Sequence, residues 1–459
     1  MSAIFDAVVI GMGQAGPSLA ARLCAQGMKV AIAERGPFGG TCVNNGCTPT
    51  KAMVASAYAA HLAKRAAEYG VILDDSPAVS MKRIKARTGE IVRNARDGVE
   101  NWMGGLRSAT IYRGHARFSG PRSVEVNGEV LTADRIFVDV GGRPLIPKMP
   151  GLDTVRYLTS ATMMDLDFVP EHLVVIGGSY VGLEFAQMFG RFGSRVTIVE
   201  MGLRLVGHED EDVSRCIEDF LSAEGISLRL GAQCVSVHNA ENGVSVGLDC
   251  KEGEPREHGS HVLLAVGRTP NTDDLGLDAA GIKTDGRGYI EVDDELRTSN
   301  PHVWALGDCN GKGAFTHTAY NDYEIVADNL LAGAGRKVTD RLPVYALYTD
   351  PPLGRVGMNE AAIAKAGIEA LVGKLPMTRV ARAIEKGETQ GFLKVHIEKK
   401  SRRILGASLV GVGTDESVQS LIDAVYAKTA YTDFQRHVRI HPTVSELLPT
   451  VLEDLRPMR

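Results

Sequence analysis

The run Ala7-Val8-Val9-Ile10 is apolar without a polar break and stops at a glycine, the pattern of a strand buried on both faces of a parallel sheet. Gly11-Met12-Gly13-Gln14-Ala15-Gly16 follows, then Leu19, Ala20 and Leu23 at helical spacing as far as Gly27, then Lys29-Val30-Ala31-Ile32-Ala33-Glu34. This predicts a strand, glycine turn, helix and second strand ending on an acid. In such a unit the glycines let a pyrophosphate lie against the helix N-terminus while the acid meets ribose hydroxyls. The same order returns with Leu173-Val174-Val175-Ile176, Gly177-Gly178-Ser179-Tyr180-Val181-Gly182, a helical run through Phe189, and Arg195-Val196-Thr197-Ile198-Val199-Glu200. Glu34 follows Gly11 at the same interval as Glu200 follows Gly177. One glycine fingerprint is a weak signal, but two in register predict two dinucleotide sites in one chain. Ser179 takes the place of the middle glycine in the second copy, which either loosens the fit there or adds a hydroxyl to it.

Between the copies, Leu131 to Val138 reads as a strand running into Val140-Gly141-Gly142-Arg143-Pro144, and a boundary is expected near Pro144 to Gly151. Beyond the second copy, Ser245 to Leu248 and His261 to Val266 alternate as strands, followed by Gly267-Arg268-Thr269-Pro270-Asn271. Ala305-Leu306-Gly307-Asp308 is a strand end where a glycine allows close backbone approach and a carboxylate can reach a sugar hydroxyl; an ordinary turn acid is the alternative. From about Pro343 the glycine fingerprints cease, and strands such as Phe392 to Ile397 mix with helices around Ser417 to Lys428, an α+β texture.

A chain of 459 residues is too long for a single core and predicts several domains. Its net charge of -5 offers no basic field for a phosphate backbone, so nucleic acid is not an expected partner. Val8-Val9-Ile10 is too short for a signal core or a membrane span and the N-terminus lacks a basic region, so no membrane partner and a cytoplasmic location are expected.

The seven cysteines, an odd number, argue against a structural disulfide framework. Cys24, Cys216, Cys234, Cys250 and Cys309 are scattered. Cys42 and Cys47 lie together in Gly39-Gly40-Thr41-Cys42-Val43-Asn44-Asn45-Gly46-Cys47-Thr48-Pro49-Thr50-Lys51, close enough to form a local disulfide. Thr48-Pro49-Thr50 predicts the first turn of a helix whose dipole stabilises a thiolate at Cys47.

With these motifs the chain strongly resembles, over essentially its whole length, the flavoprotein disulfide reductases, a family that includes dihydrolipoamide dehydrogenase, glutathione reductase and mercuric reductase. His441-Pro442-Thr443-Val444-Ser445-Glu446 near the end completes the likeness. The resemblance implies an α/β fold of two Rossmann-like dinucleotide-binding domains plus a C-terminal α+β dimerisation domain. Residues 1–145 and 273–336 would bind FAD, 146–272 the nicotinamide cofactor, and 337–459 would form the interface. It further implies a homodimer in which each site borrows the partner's histidine. Cys47 would face the flavin, Cys42 would exchange with substrate, Lys51 would pair with Glu184 beside the flavin, and His441 with Glu446 would be the acid/base dyad. Tyr180 would gate the nicotinamide pocket. Cofactor-binding positions would be Gly11, Gly13, Gly16, Glu34, Arg35, Gly40, Thr41, Lys51, Gly141 and Asp308, with Gly177, Ser179, Tyr180, Gly182, Glu200, Gly267 and Arg268. No resident metal is implied. Glu200 would favour NAD over NADP by repelling a 2′-phosphate, with Arg204 close enough to weaken that preference.

The activity so implied is electron transfer between NAD(P)H, flavin and Cys42-Cys47, to or from a small-molecule or lipoyl disulfide. Asn45, Thr48 and Val140-Gly141-Gly142 depart from the dihydrolipoamide dehydrogenase pattern, and Phe315-Thr316-His317-Thr318-Ala319-Tyr320-Asn321-Asp322-Tyr323 is closer to mercuric-reductase-like oxidoreductases. The terminal Leu455-Arg456-Pro457-Met458-Arg459 lacks the cysteine pair that hands over mercury. A metal-ion reductase and a flavin-binding redox-sensing subunit are the rival readings.

Overall fold

The strand Ser2–Ile10 sits at the centre of a sheet, which is why its apolar run has no polar alternation. Val9 packs with Leu19 and Leu23 of the helix Gly16–Ala25 on one face, and Val8 and Ile10 pack with Phe118 and Val124 on the other. The computed structural model describes residues 2–75, 77–249 and 255–458. In the first sheet, Ala109–Arg113, Val30–Glu34, Ser2–Ile10 and Glu129–Val138 run parallel in that order, and Val303–Ala305 joins the last of them. A meander of Ser123–Val126 and Ala116–Gly120 extends it.

The second sheet repeats this order. Ser227–Arg229, Arg195–Val199, His172–Ile176 and His261–Leu264 run parallel, with Leu158–Thr159 at the edge. An antiparallel meander, Gln233–Ala240, Gly243–Asp249 and Arg256–Gly259, again accompanies it. Gly142–Pro144 pairs antiparallel with Arg268–Pro270, so the second unit leaves and rejoins the first through adjacent strands. The third part is a six-stranded antiparallel sheet in the order Val344–Leu347, Leu353–Gly357, Ile404–Val410, Phe392–Glu398, Ala370–Pro376, Arg456–Pro457.

Strand and helix ends differ from the sequence reading by a few residues. The strand expected over His261 to Val266 ends at Leu264, and the helical stretch after Ser417 is split into Thr414–Ser417 and Gln419–Tyr426. The helix Met81–Gly104, which buries Met81, Val92 and Met103, is a further element that the sequence reading did not single out, although Met81, Ile84, Val92, Ala95, Val99 and Met103 recur at helical spacing. Cys309 is buried, Cys24 and Cys216 are partly buried, and these three together with Cys42 and Cys47 are free thiols. Cys250 and the side chain of Cys234 lie outside the described residues. Among the described residues no helix is long and apolar enough to cross a membrane.

One apolar core joins the three parts at the redox helix. Met53 and Ala57 of the helix Cys47–Lys64 share it with Phe185 and Phe189 of the helix Tyr180–Phe192 and with Leu347 and Phe392 of the third sheet. Fully burying one such side chain stabilises by about 1.5–3 kcal/mol, so this shared core holds the residues on these helices in register.

Candidate active site

The two glycine turns are built alike. Gly11 and Gly177 have φ of +103° and +114°, and a Cβ on either would sit 2.2 Å from the Asp139 carbonyl oxygen or 2.3 Å from that of Ala265. A Cβ on Gly16 would lie 2.3 Å from Gly11 O, and one on Gly182 would lie 2.0 Å from Gly177 O. These positions accept only glycine, and each turn delivers the chain to the N-terminus of a helix, the geometry that suits a pyrophosphate. Ser179 stands at the N-cap of Tyr180–Phe192, where its hydroxyl caps no backbone N–H.

The acids are also alike. Glu34 accepts from the backbone N–H groups of Met12 (2.8 Å) and Gly36 (2.6 Å), and Glu200 from those of Gly178 (2.6 Å) and Gly202 (2.7 Å). Each carboxylate is thereby fixed at its strand end with lone pairs to spare for hydroxyl donors. Beside Glu200, a cleft of about 660 Å³ is lined by Gly202, Leu203, Arg204 and Arg215. Arg204 donates to Gly207 O at 3.2 Å, and Arg35 is engaged at the surface with Asp274 at 2.5 Å.

Gly40 has φ of +60°, and a Cβ there would meet Gly13 Cα at 2.8 Å, so the cysteine segment is pressed against the first glycine turn. Gly40–Asn44 is a short helix that carries Thr41 and Cys42. Asn44 ties it down, donating to Phe38 O at 2.9 Å and Gly40 O at 2.8 Å while accepting from Arg96 Nε at 2.9 Å. Cys47 opens the next helix, Cys47–Lys64. Its Sγ lies 3.2 Å from the Thr316 hydroxyl. The hydrogen bond from the Cys42 thiol, then that from Thr316 and the charge of Lys51, lower its pKa to about 6 against the opposing effects of burial and Glu184. Cys42, as the donor of that pair and partly buried, is pushed well above the ordinary thiol value. Cys47 is also the more exposed of the two.

Lys51 Nζ lies 2.9 and 2.8 Å from the two oxygens of Glu184, and 4.5 Å from the centroid of the Tyr348 ring. Tyr348 N donates to Glu184 Oε1 at 3.1 Å. The two residues lie on the helices Cys47–Lys64 and Tyr180–Phe192, which share one apolar core, so the pair spans the first and second units.

Asp308 opens outward from the short helix Gly307–Asn310, 3.3 Å from Arg268 Nε, and burial raises its pKa. Arg268 also donates to Gly142 O, and Asn271 bonds Val140 O and Gly141 O, so the Gly141 and Gly267 turns brace one another. Two acids that the sequence reading passed over organise this floor. Asp139 accepts from Gly16 N at 2.7 Å, and complete burial, with Asp308 and Glu34 nearby, drives its pKa well up. Asp322 accepts from Gly307 N and Asn310 Nδ2, both at 2.9 Å, and from Arg341 Nη1 at 2.7 Å. Neither sits in a motif of its own; only contacts between distant segments reveal them.

Tyr180 is packed edge-on to Phe315 and Tyr345, with centroids 6.1 and 5.5 Å away. At the far end of the chain, Glu446 holds His441 Nδ1 at 2.9 Å, and the imidazole is 74% exposed. Among the described residues no hydrogen bond or ion pair joins this dyad to Cys42 or Cys47.

Residues 5–322 match the family model described as pyridine nucleotide-disulphide oxidoreductase, and residues 344–452 match its dimerisation domain. The chain is 33% identical to a mercuric reductase of Streptomyces lividans, with 97% of this chain and 94% of that one covered. It is 33% identical to a dihydrolipoyl dehydrogenase of Thermus scotoductus, covering 98% and 97%. A solved structure of the HOCl-induced flavoprotein disulfide reductase RclA from Escherichia coli, as a Cu(II) complex, superposes with a TM-score of 0.89 at 32% identity, covering 97% of this chain and 98% of that one. Two matched glycine cradles, a thiol pair at a helix start and a dimerisation domain thus converge with these likenesses, and the chain belongs to the flavoprotein disulfide reductases, oxidoreductases that use FAD and NAD(P)H.

Proposed function

We propose that the protein takes electrons from NADH and exchanges them, through FAD and the Cys42–Cys47 couple, with a low-molecular-weight or lipoyl disulfide. The observation that carries this reading is Cys47 at a helix start 3.2 Å from the Thr316 hydroxyl, where Cys42, then Thr316 and Lys51, favour its thiolate. FAD, bound in the first glycine cradle, supplies hydride acceptance and two-electron transfer to the disulfide. Residues 1–145 and 273–336 form its site, with Gly11, Gly13, Gly16, Glu34, Gly40, Thr41, Gly141 and Asp308 around it. Residues 146–272 hold the nicotinamide cofactor through Gly177, Ser179, Gly182 and Glu200, with Tyr180 as its gate. Arg35, already paired with Asp274, contributes charge at the rim, and Gly267 and Arg268 support the Asp308 side.

Residues 337–459 form a homodimer in which His441 of the partner subunit faces Cys42. His441 takes the proton from Cys42, whose raised pKa demands a base. The Cys42 thiolate attacks one sulfur of the substrate disulfide, forming a mixed disulfide and releasing the other sulfur as a thiolate, which receives that proton. Cys47 then attacks Cys42 Sγ, reforming the Cys42–Cys47 disulfide and releasing the second substrate sulfur as a thiolate, which takes its proton from solvent. The greater exposure of Cys47 runs against a simple accessibility argument for Cys42, so the assignment rests on which sulfur is the stabilised thiolate. A cytoplasmic location suits a couple that must be reduced to turn over.

Anaerobic titration of the purified protein with NADH, followed by turnover against lipoamide, glutathione disulfide and Hg(II), tests the reading. Two-electron reduction is expected to give a long-wavelength charge-transfer band that Cys47→Ser abolishes with FAD retained; a band that persists in that variant overturns the assignment. The RclA likeness to a Cu(II) complex favours a second reading, reduction of a metal ion by the same dithiol, and faster turnover with Cu(II) or Hg(II) than with every disulfide would select it.

A further inference from the structure

Glu209 has no exposed side-chain surface, yet nothing in the chemistry above uses it. Its Oε1 accepts from Tyr345 Oη at 2.6 Å and from Tyr180 Oη at 3.2 Å, and its Oε2 lies 3.4 Å from Arg355 Nε. Tyr345 and Arg355 are directly opposed residues on the paired strands Val344–Leu347 and Leu353–Gly357, so the third sheet presents a phenol and a guanidinium side by side to one carboxylate. Arg355 is itself fixed, donating to Val356 O at 2.6 Å and Ala407 O at 2.8 Å.

The segment around Glu209 is clamped to the same sheet. Asn359 donates to His208 O at 2.8 Å, Glu360 N to Asp210 Oδ1 at 2.9 Å, and Lys394 Nζ lies 2.8 Å from Asp210 and 2.6 Å from Asp212. The Lys394 ammonium also lies 3.0 Å from Glu360. It is therefore already the counter-ion of Asp210 and Glu360. In the other direction, Tyr180 packs edge-on to Phe315, which stacks on Tyr345 at 5.5 Å and 16°. Phe315 directly precedes Thr316, the residue whose hydroxyl meets Cys47. A buried carboxylate thus fixes the hydroxyl of the Tyr180 ring, two neighbouring rings pack against it edge-on, and the whole is referenced to the dimerisation domain.

We infer that Glu209 is a positioning residue for nicotinamide binding, tethering the hydroxyl of Tyr180 while it is itself braced by Tyr345 and Arg355 of the dimerisation domain. The inference rests on Tyr180 lining the nicotinamide pocket, as proposed above. A gate ring tethered at its hydroxyl has a narrow range of positions to lose when the cofactor seats; with the tether gone, binding must also order the ring.

The test uses FAD-loaded Tyr180→Phe, Glu209→Gln and the double variant. NAD+ affinity is measured by isothermal titration calorimetry, and flavin reduction by NADH in stopped flow. Each single variant is expected to raise the NAD+ Kd and the half-saturating NADH concentration about three- to tenfold, the worth of one hydrogen bond, with the limiting rate changed by less than about twofold. In the Tyr180→Phe background Glu209→Gln is expected to add nothing. Additive effects, unchanged or tightened NAD+ binding, or a loss confined to the limiting rate would overturn the inference. Should Glu209→Gln fail to fold, Glu209→Asp, which withdraws the carboxylate from the Tyr180 hydroxyl, takes its place in the cycle with the same expectation. Tyr180→Ala separates the two levels: if it leaves NADH reduction and NAD+ binding untouched, Tyr180 is not in the pocket and the underlying reading fails. If it weakens both while the Glu209 cycle shows no coupling, only the role of Glu209 fails.

Discussion

Thr316→Val tests the electrostatic design of the thiol pair at its least disruptive point, since the substitution keeps the shape and removes one hydroxyl 3.2 Å from Cys47 Sγ. A hydrogen bond to a charged acceptor is worth about 1.5–3 kcal/mol. At about 1.4 kcal/mol per pKa unit this amounts to one or two units. Cys47 is exposed, so solvent replaces part of what is lost and the lower figure applies. The thiolate pKa is therefore expected to move from about 6 to about 7. Near neutral pH the wild-type sulfur is then about ten parts thiolate to one part thiol, and the variant about half and half. The charge-transfer absorbance of the two-electron-reduced enzyme, followed from acid to alkaline pH, reads this population directly. Its midpoint is expected about one unit higher in the variant, with the alkaline plateau preserved. Lys51→Gln, which removes the nearby positive charge, is expected to shift it in the same direction. A variant midpoint equal to the wild-type one would refute the reasoning, because the hydroxyl would then contribute nothing to the thiolate.

Mixed dimers of Cys42→Ser and His441→Ala subunits are expected to recover part of the activity that either homodimer lacks, measured on co-expressed and separately tagged protein; no recovery would rule out a site shared between subunits. Glu200→Ala is expected to narrow the preference for NADH over NADPH in stopped-flow flavin reduction, since the carboxylate fixed by Gly178 and Gly202 is lost, and a wild-type enzyme reduced more efficiently by NADPH would defeat this account. Asp139→Asn is expected to stabilise the protein more at about pH 8 than at about pH 4. Asp139 has a raised pKa in the folded state, so the folded chain keeps a proton that the unfolded chain releases, and stability falls as pH rises between the two values. Melting temperatures that differ equally at both pH values would contradict it.

What could be read from sequence divides by the range of the interactions involved. Gly11, Gly13 and Gly16 announce their turn because their spacing is itself local, although only the Gly16 clash, with Gly11 O, arises within the turn; a Cβ on Gly11 or Gly13 would strike Asp139. Cys42 and Cys47 are close along the chain, and Pro49 in the first turn of Cys47–Lys64 marks that helix. Thr316, Asp139 and Glu209 are different, because each acquires its role from a partner far away in sequence. Thr316 is 269 residues from Cys47, and Gly16 is 123 residues from Asp139. A threonine before a histidine or an acid after a valine has no pattern that distinguishes it from a surface residue. The pairing of Lys51 with Glu184, also distant, was expected only through the family resemblance; periodicity alone places the two on helices without saying that the helices face one another.

Because Gly142–Pro144 lies beside Arg268–Pro270, the chain between them is a cassette whose two ends abut. A cassette of that kind can be cut out and the scar closed with about two or three residues, or exchanged for another nucleotide-binding module, without rethreading either flanking sheet. Its obligations lie along two faces: Phe185, Phe189 and Glu184 meet the redox helix, while Arg191, Glu209 and Asp210 meet the third sheet. A graft that preserves both faces is therefore expected to inherit the thiol chemistry, and one that keeps only the first is not.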